Sequence, residues 1–349
     1  MNARITRRAL LLSALPAAAQ AQGFAGLGQG GGAFAEPRRG DPLVFPRDHA
    51  PHPDFRIEWW YLTANLADPE GTPMGLQWTL FRSALGTGPG TDWATPQAWL
   101  GHAAITTPER HLAAERLARG GIGQAGVTAA PFDAWIDHWR MSGPSLSQVR
   151  LRAATPDFAY DVALVADRPF VPQGDAGYSV KSSGGQASHY YSQPFYTARG
   201  TLSLGERDIP VTGRAWLDRE WSSTPLAETQ TGWDWFSLHL SGGAKVMGFR
   251  LRERDGSAFT SATWIAPDGM PTPYGDGAFR AEPLETARVA GRDVPVDWRV
   301  RLPDRGLDAR VRAVNDAAWM DLGFAYWEGP VGVEGSHDGT GYLEMTGYE

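Results

Sequence analysis

The sequence predicts an all-β protein built of two similar antiparallel β-barrels, and three observations carry that prediction. Short segments of alternating apolar and polar residues recur between turn residues. Two of these segments look like copies of one another. Beyond the N-terminus no long helical period is sustained. Glycine (42) and proline (26) are abundant, as many short strands joined by turns require. A chain of 349 residues is long enough for two cores.

The N-terminus carries Thr6-Arg7-Arg8-Ala9-Leu10-Leu11, an apolar run over residues 11–19, and Ala19-Gln20-Ala21 as a cleavage site. This predicts a twin-arginine-type signal peptide over residues 1–21 and a periplasmic or secreted protein. An arginine pair on an ordinary secretory signal predicts the same destination. The run is too short to cross a bilayer core of roughly 30 Å, so no transmembrane segment is predicted. Residues 22–40 are glycine-rich, without apolar pattern, and read as a linker.

The first hairpin follows. Trp60, Leu62, Ala64 and Leu66 alternate with Tyr61, Thr63 and Asn65. After a turn at Asp68-Pro69-Glu70-Gly71, Leu76, Trp78 and Leu80 alternate with Gln77, Thr79 and Phe81. Residues 108–119 are expected to form a short helix, with Thr107 as N-cap and Gly120 beyond its end. A second hairpin joins Phe236, Leu238 and Leu240 to Met247, Phe249 and Leu251 through Ser241-Gly242-Gly243.

The two hairpins open alike, with Trp59-Trp60-Tyr61 and a following Leu66 in one, Trp233-Asp234-Trp235-Phe236 and a following Leu240 in the other. The halves also close alike. Gly213-Arg214-Ala215-Trp216-Leu217-Asp218 and Gly339-Thr340-Gly341-Tyr342-Leu343-Glu344 share glycine, aromatic, leucine and acid at the same spacing. Two echoes in the same order predict a duplication, with domains over residues 41–225 and 226–349 and a boundary in the polar stretch 222–231.

The formal charge of -7 gives no basic surplus for phosphates, so nucleic acid is not predicted as a partner. The absence of cysteine excludes disulfides, thiolate metal sites, a cysteine nucleophile and a lipid-anchor cysteine. Eight histidines are scattered without a local ligand pair, and neither a metal nor a cofactor is predicted. No G-x-S-x-G elbow and no S-x-x-K occurs. The glycine-rich stretches 120–126 and 182–185 read as loops, not phosphate cradles.

Five motifs together resemble the carotenoid hydratase / AttH-like family. They are His52-Pro53-Asp54-Phe55-Arg56-Ile57-Glu58-Trp59-Trp60-Tyr61, the run from Gly213 to Trp221, that from Gly232 to Phe236, Tyr326-Trp327-Glu328-Gly329, and the run from Gly339 to Tyr348. The resemblance spans about residue 46 to the C-terminus and implies tandem lipocalin-like domains. Members include carotenoid hydratases, chains labelled predicted secreted hydrolases, and proteins encoded beside ABC-transporter components, so transporter components are among the partners the resemblance implies. It carries the fold further than the chemistry.

The leading candidate for chemistry is the strand segment Trp216-Leu217-Asp218-Arg219-Glu220-Trp221, which puts Trp216, Asp218 and Glu220 on one face. Hydrating an electron-rich C=C needs an acid to protonate carbon, and water then captures the cation. A carboxyl inside an apolar barrel stays protonated because desolvation raises its pKa. Asp218 is the candidate acid, Glu220 its partner and Trp216 the cation-facing ring. The competing reading pairs Asp218 or Glu220 with Arg219, Arg214 or Arg82 to seal a barrel end. Candidate substrate-binding residues are Trp60, Trp78 and Trp235 on the hairpins, with His189 and Tyr191 in the Ser188-His189-Tyr190-Tyr191-Ser192 run. For Glu58 and Asp234 a structural role beside tryptophan or strand-end arginine is expected.

Three functions remain open at this point. One is acid-catalysed hydration or isomerisation of an isoprenoid- or lipid-like apolar molecule. Another is periplasmic binding of such a ligand without turnover, and the third is secreted hydrolysis. Export argues against a carotenoid as the substrate itself.

Overall fold

The computed structural model describes residues 33–87 and 94–348; the signal segment 1–21 and most of the glycine-rich leader lie outside these. The first sheet contains β1 (Ile57–Ala67), β2 (Pro73–Ala84), β3 (Gln97–Thr106), β4 (His111–Arg119), β5 (Ala125–Thr128) and β6 (Phe132–Ile136). It continues with β7 (Trp139–Ser145), β8 (Gln148–Ala154), β9 (Phe158–Ala166), β10 (Val171–Pro172), β11 (Tyr178–Val180), β12 (Ala187–Leu204) and β13 (Arg207–Ser222). The second contains β14 (Gln230–Leu240), β15 (Lys245–Glu253), β16 (Ala258–Ile265), β17 (Pro271–Tyr274) and β18 (Arg280–Val289). It closes with β19 (Arg292–Leu302), β20 (Leu307–Ala313), β21 (Trp319–Met320), β22 (Tyr326–Gly335) and β23 (Gly339–Met345).

All pairings are antiparallel. The first sheet runs β4-β3-β2-β1-β13-β12-β9-β8-β7-β6-β5, with β10 and β11 on β12. The second runs β17-β16-β15-β14-β23-β22-β20-β19-β18, with β21 on β22. The first sheet curls until β2, β3 and β4 touch β6, a nearly closed barrel; the second forms a half-barrel. These are two lipocalin-like antiparallel units in tandem.

The echoes of the sequence occupy matching places. In each sheet the tryptophan-rich opening strand pairs with the closing strand of its own unit, β1 with β13 and β14 with β23. Leu66 stands opposite Gly213 and Leu240 opposite Gly339. Glycine is required at both positions. A Cβ on Gly213 would collide with the Asn65 carbonyl oxygen, and one on Gly339 with that of His239.

The expected helix over 108–119 is instead strand β4. Thr107 does cap locally, its Oγ1 accepting from the Arg110 N–H at 3.0 Å, but what it caps is a turn. Residues 111–119 then pair with residues 98–106 of β3, from Thr106↔His111 to Ala98↔Arg119. A ladder of tertiary hydrogen bonds outweighs the helix propensity of a Leu-, Ala- and Glu-containing segment.

Each unit has its own core, one around Trp60, Trp78 and Trp139, the other around Phe236, Trp298 and Trp327. A third cluster lies between the units, where Tyr61, Tyr190 and Trp216 meet Trp235, Met247, Phe249 and Leu251. Strand β13 is therefore buried on both faces from Ala215 to Ser222. Leu217 and Trp221 fill the first core while Trp216 faces the second unit. Burying one such large side chain contributes on the order of 2 kcal/mol, so the interface is a substantial part of the fold.

Candidate functional site

Strand alternation along β13 places Trp216, Asp218 and Glu220 on the face that meets the second unit. This corrects the expectation of an acid inside a barrel: the carboxyls stand between the two units. Asp218 and Glu220 line a pocket with Trp59, Tyr61, Lys181 and Tyr190 of the first unit, and Trp233, Trp235, Phe249 and Glu344 of the second. Pro225 and Leu226, half-exposed on the segment joining the sheets, complete the wall. The pocket has a volume of about 640 Å³, its open mouth included.

Asp218 is buried at 2 % exposure and forms no ion pair among the described residues. Its oxygens accept from the Trp216 indole N–H at 2.7 Å, the Tyr190 hydroxyl at 2.7 Å and the Ser192 hydroxyl. Burial pushes the carboxyl up to about 7, against these three hydrogen bonds, which favour the charged form. Glu220 differs. Its Oε1 lies 2.8 Å from the buried Lys181 ammonium and accepts from Ser188. That ammonium also sits over the rings of Tyr190 (4.8 Å) and Phe249 (4.4 Å).

Glu344, on β23, brings a third carboxyl into the pocket. Burial raises it to about 7, although the Trp233 indole donates to its Oε1 at 2.6 Å. Behind the wall, Glu328 is 1 % exposed and accepts from the Tyr61 hydroxyl. Burial and the Glu344 charge push Glu328 well above the usual carboxylate range.

Of the three arginines expected as competitors, Arg82 and Arg219 are engaged elsewhere, and Arg214 is exposed. Arg82 and Arg219 both pair with Glu58 at the end of the first barrel. Burial opposes the charge on Glu58, but Arg219 and Arg82 outweigh it and hold the carboxyl well below its ordinary range. Arg219 also stacks over Trp60 at 3.9 Å. Asp234 is clamped by Arg250 and Arg252.

Of the remaining candidates, Trp235 lines the pocket and donates to the Tyr190 hydroxyl at 3.1 Å. Trp216 supports Asp218 from outside the lining. Trp60, Trp78 and Tyr191 belong to the core of the first barrel, on the opposite side of the sheet. His189 packs on Trp221 and Phe55, also away from the pocket. Sequence reasoning missed Lys181, Tyr190, Trp233 and Glu344. For Glu344 a signal existed, because the echo of Asp218 in the second half falls on it. Among the described residues no cluster of three or more histidines and carboxylates could hold a metal ion, and no helix is long and apolar enough to cross a membrane.

A crystal structure of an AttH protein from Nitrosomonas europaea superposes with a TM-score of 0.81 at 34% identity, covering 90% of this chain and 100% of that one. Kievitone hydratase from Nectria haematococca superposes with a TM-score of 0.66 at 15% identity, covering 90% of this chain and 98% of that one, a likeness of fold. No curated protein matches. Residues 36–348 match the AttH-like family, and the chain belongs to it.

Proposed function

We propose that the pocket between the two units binds an apolar, isoprenoid- or lipid-like small molecule and hydrates a C=C within it, with Asp218 as the acid. The observation that carries this reading is a buried carboxyl pushed up to about 7, with no ion pair among the described residues, on the wall of an aromatic pocket. Such a group keeps its proton through much of the neutral range and so is available to donate it to an electron-rich alkene held against it.

In the forward direction the Asp218 proton goes to one alkene carbon as the π pair forms the new C–H bond. The tertiary cation left on the other carbon faces the rings of Trp59, Trp233 and Trp235, whose π faces stabilise it. Water adds there and passes its surplus proton to a carboxylate, Glu344 or the Asp218 anion. Glu220, neutralised by Lys181, holds its place in the wall. The narrow free space favours a branched alkene end inserted between rings over an enclosed long polyene. The hydratase among the structural neighbours supports the reading by fold.

A second reading, ligand binding without turnover, is favoured by one observation. Asp218 already accepts three hydrogen bonds from the protein, an arrangement that also suits a fixed polar anchor. Delivery of the ligand to ABC-transporter components belongs to this reading. Secreted hydrolysis finds no support in the lining, which has no serine or histidine among the described residues. Either function is proposed for the periplasm or beyond it, on the strength of the N-terminal motif.

The test uses terminal isoprenoid alkenes and prenylated phenols in ¹⁸O-labelled water. Label entering the product with wild type, and its loss in Asp218→Asn while tryptophan quenching by the ligand persists, is the expected result. Quenching without label in wild type would select the binding reading, and label persisting in Asp218→Asn would remove Asp218 as the acid.

A further inference from the structure

Behind the pocket, a row of hydrogen-bonding side chains runs from Glu344 to the molecular surface, crossing between the units at three places. The Tyr61 hydroxyl hydrogen-bonds the Glu344 carboxyl and donates to Glu328 Oε1. Glu328 and Tyr326, two residues apart on one face of β22, hydrogen-bond each other. Glu328 Oε2 has no hydrogen-bond partner in this arrangement, leaving that oxygen open to carry a proton and to turn toward the Tyr326 hydroxyl. The Tyr326 hydroxyl lies 2.9 Å from His102 Nδ1, and His102 Nε2 lies 3.2 Å from Glu115 Oε2. His102 is fully buried, whereas the Glu115 side chain keeps 22 % of its surface in solvent.

We infer that Glu344, Tyr61, Glu328, Tyr326, His102 and Glu115 form a proton relay between the interdomain pocket and bulk water. The donors and acceptors follow one direction, with one gap at Glu328 Oε2 that a rotation of the carboxyl toward the Tyr326 hydroxyl closes. Glu344 gives its carboxyl proton to the Tyr61 oxygen as Tyr61 gives its own to Glu328 Oε1. Glu328 passes the proton on Oε2 to the Tyr326 oxygen, and Tyr326 passes its own to His102 Nδ1. His102 releases its Nε2 proton to the Glu115 carboxylate. Every intermediate gains one proton and loses one, so the net change is one proton moved from Glu344 to Glu115. Reversing the polarity moves one inward.

Each end suits its task. Glu115 is held below its ordinary range by the His102 hydrogen bond, so it stays a carboxylate that hands protons to water. The interior members are shielded from solvent, and a proton has no other side-chain path among the contacts described for them. In the hydration proposed above, the relay would let Glu344 discard or recover a proton while substrate blocks the pocket mouth. Its catalytic use rests on that reading; its existence does not.

The test measures proton exchange, not turnover, on the full chain. A protonated carboxyl has an infrared C=O band that a carboxylate lacks, and deuterium shifts it. Glu328→Gln assigns the Glu328 band. Tyr61→Phe then removes the route through the pocket, and exchange of the Glu328 band should continue near the wild-type rate. Adding Tyr326→Phe, which deletes one hydroxyl, should slow it by about tenfold or more, since exchange then requires local opening of the protein. Should the double variant not fold, as judged by circular dichroism, Tyr61→Phe with Glu115→Gln serves the same purpose, because Glu115 is partly exposed. Undiminished exchange in the double variant, slow exchange already in Tyr61→Phe, or no band lost in Glu328→Gln would each overturn the relay. None of these outcomes bears on whether Asp218 protonates an alkene.

Discussion

Asp218 and Glu344 occupy the same register position in the two halves of the molecule, Asp218 opposite Tyr61 and Glu344 opposite Trp235, and both line one pocket. A duplicated strand has thus delivered two acids to a single site from opposite sides. Both are raised by burial to about 7. The pair is the centre of the chemistry proposed here.

Activity should follow the protonated form of Asp218. In the free protein, kcat/KM for hydration should fall as pH rises through about 7. Asp218→Asn should lower kcat by about 10²–10⁴-fold, the range of a lost general acid. Steady-state rates from pH 5 to 9 check both; a flat profile would exclude this carboxyl as the acid.

The same acids load the fold at neutral pH. A carboxyl whose folded pKa is raised holds a proton that the unfolded chain gives up. Its stability contribution is therefore complete below about pH 4 and is lost as pH rises toward 7. Glu328, pushed well above its usual range, extends the loss to higher pH. Glu328→Gln keeps the hydrogen-bonding shape without the titration. Its stability relative to wild type, and with it the difference in Tm, should rise with pH, by up to about 1.4 kcal/mol per unit above pH 4.5. Thermal melts from pH 5 to 9 read this out, and a difference independent of pH would contradict it.

His239 acts in the opposite sense. It is buried beside Trp216 with both ring nitrogens unpaired, and burial, with Lys245 and Arg214 nearby, holds its pKa well below the ordinary value. The unfolded chain takes up a proton below about pH 6.5 that the folded protein refuses, so stability is lost as pH falls from there. His239→Gln should flatten the acid limb of the stability curve. Urea titrations at pH 5 and pH 7 measure the difference; an unchanged limb would show that His239 is charged in the fold.

The glycine echo is open to a direct test. Gly213→Ala and Gly339→Ala each drive a Cβ into a neighbouring carbonyl and should cost about 2–4 kcal/mol. Gly332→Ala, on β22, meets nothing within 4 Å and should be neutral to within about 0.5 kcal/mol. Denaturant midpoints compare the three. Equal effects would mean the closing strands need no close approach.

The pattern of these residues shows how far the site could be read in advance. Trp216, Asp218 and Glu220 were assignable to one face of a strand because alternation is a local property. Trp60, Trp78 and Tyr191 have the same aromatic character but sit on the face that fills the first barrel. Composition could not separate the two faces, since β1 and β13 are largely buried on both. The segment 108–119 differs from the expected helix for a related reason: its conformation depends on pairing with β3, not on its own propensity.

The amino-acid sequence by itself determined the class of fold, the two hairpins, and the duplication with its paired acids, because turns, period-two alternation and repeats are written in neighbouring residues. Tertiary structure alone decided that the second unit covers the Asp218 face, that Arg82 and Arg219 go to Glu58, and that Glu344, Tyr61 and Glu328 meet across the interface. Those outcomes depend on which desolvated charges find partners when two sheets dock. That energy is set by distances between residues as far apart in the chain as Tyr61 and Glu328.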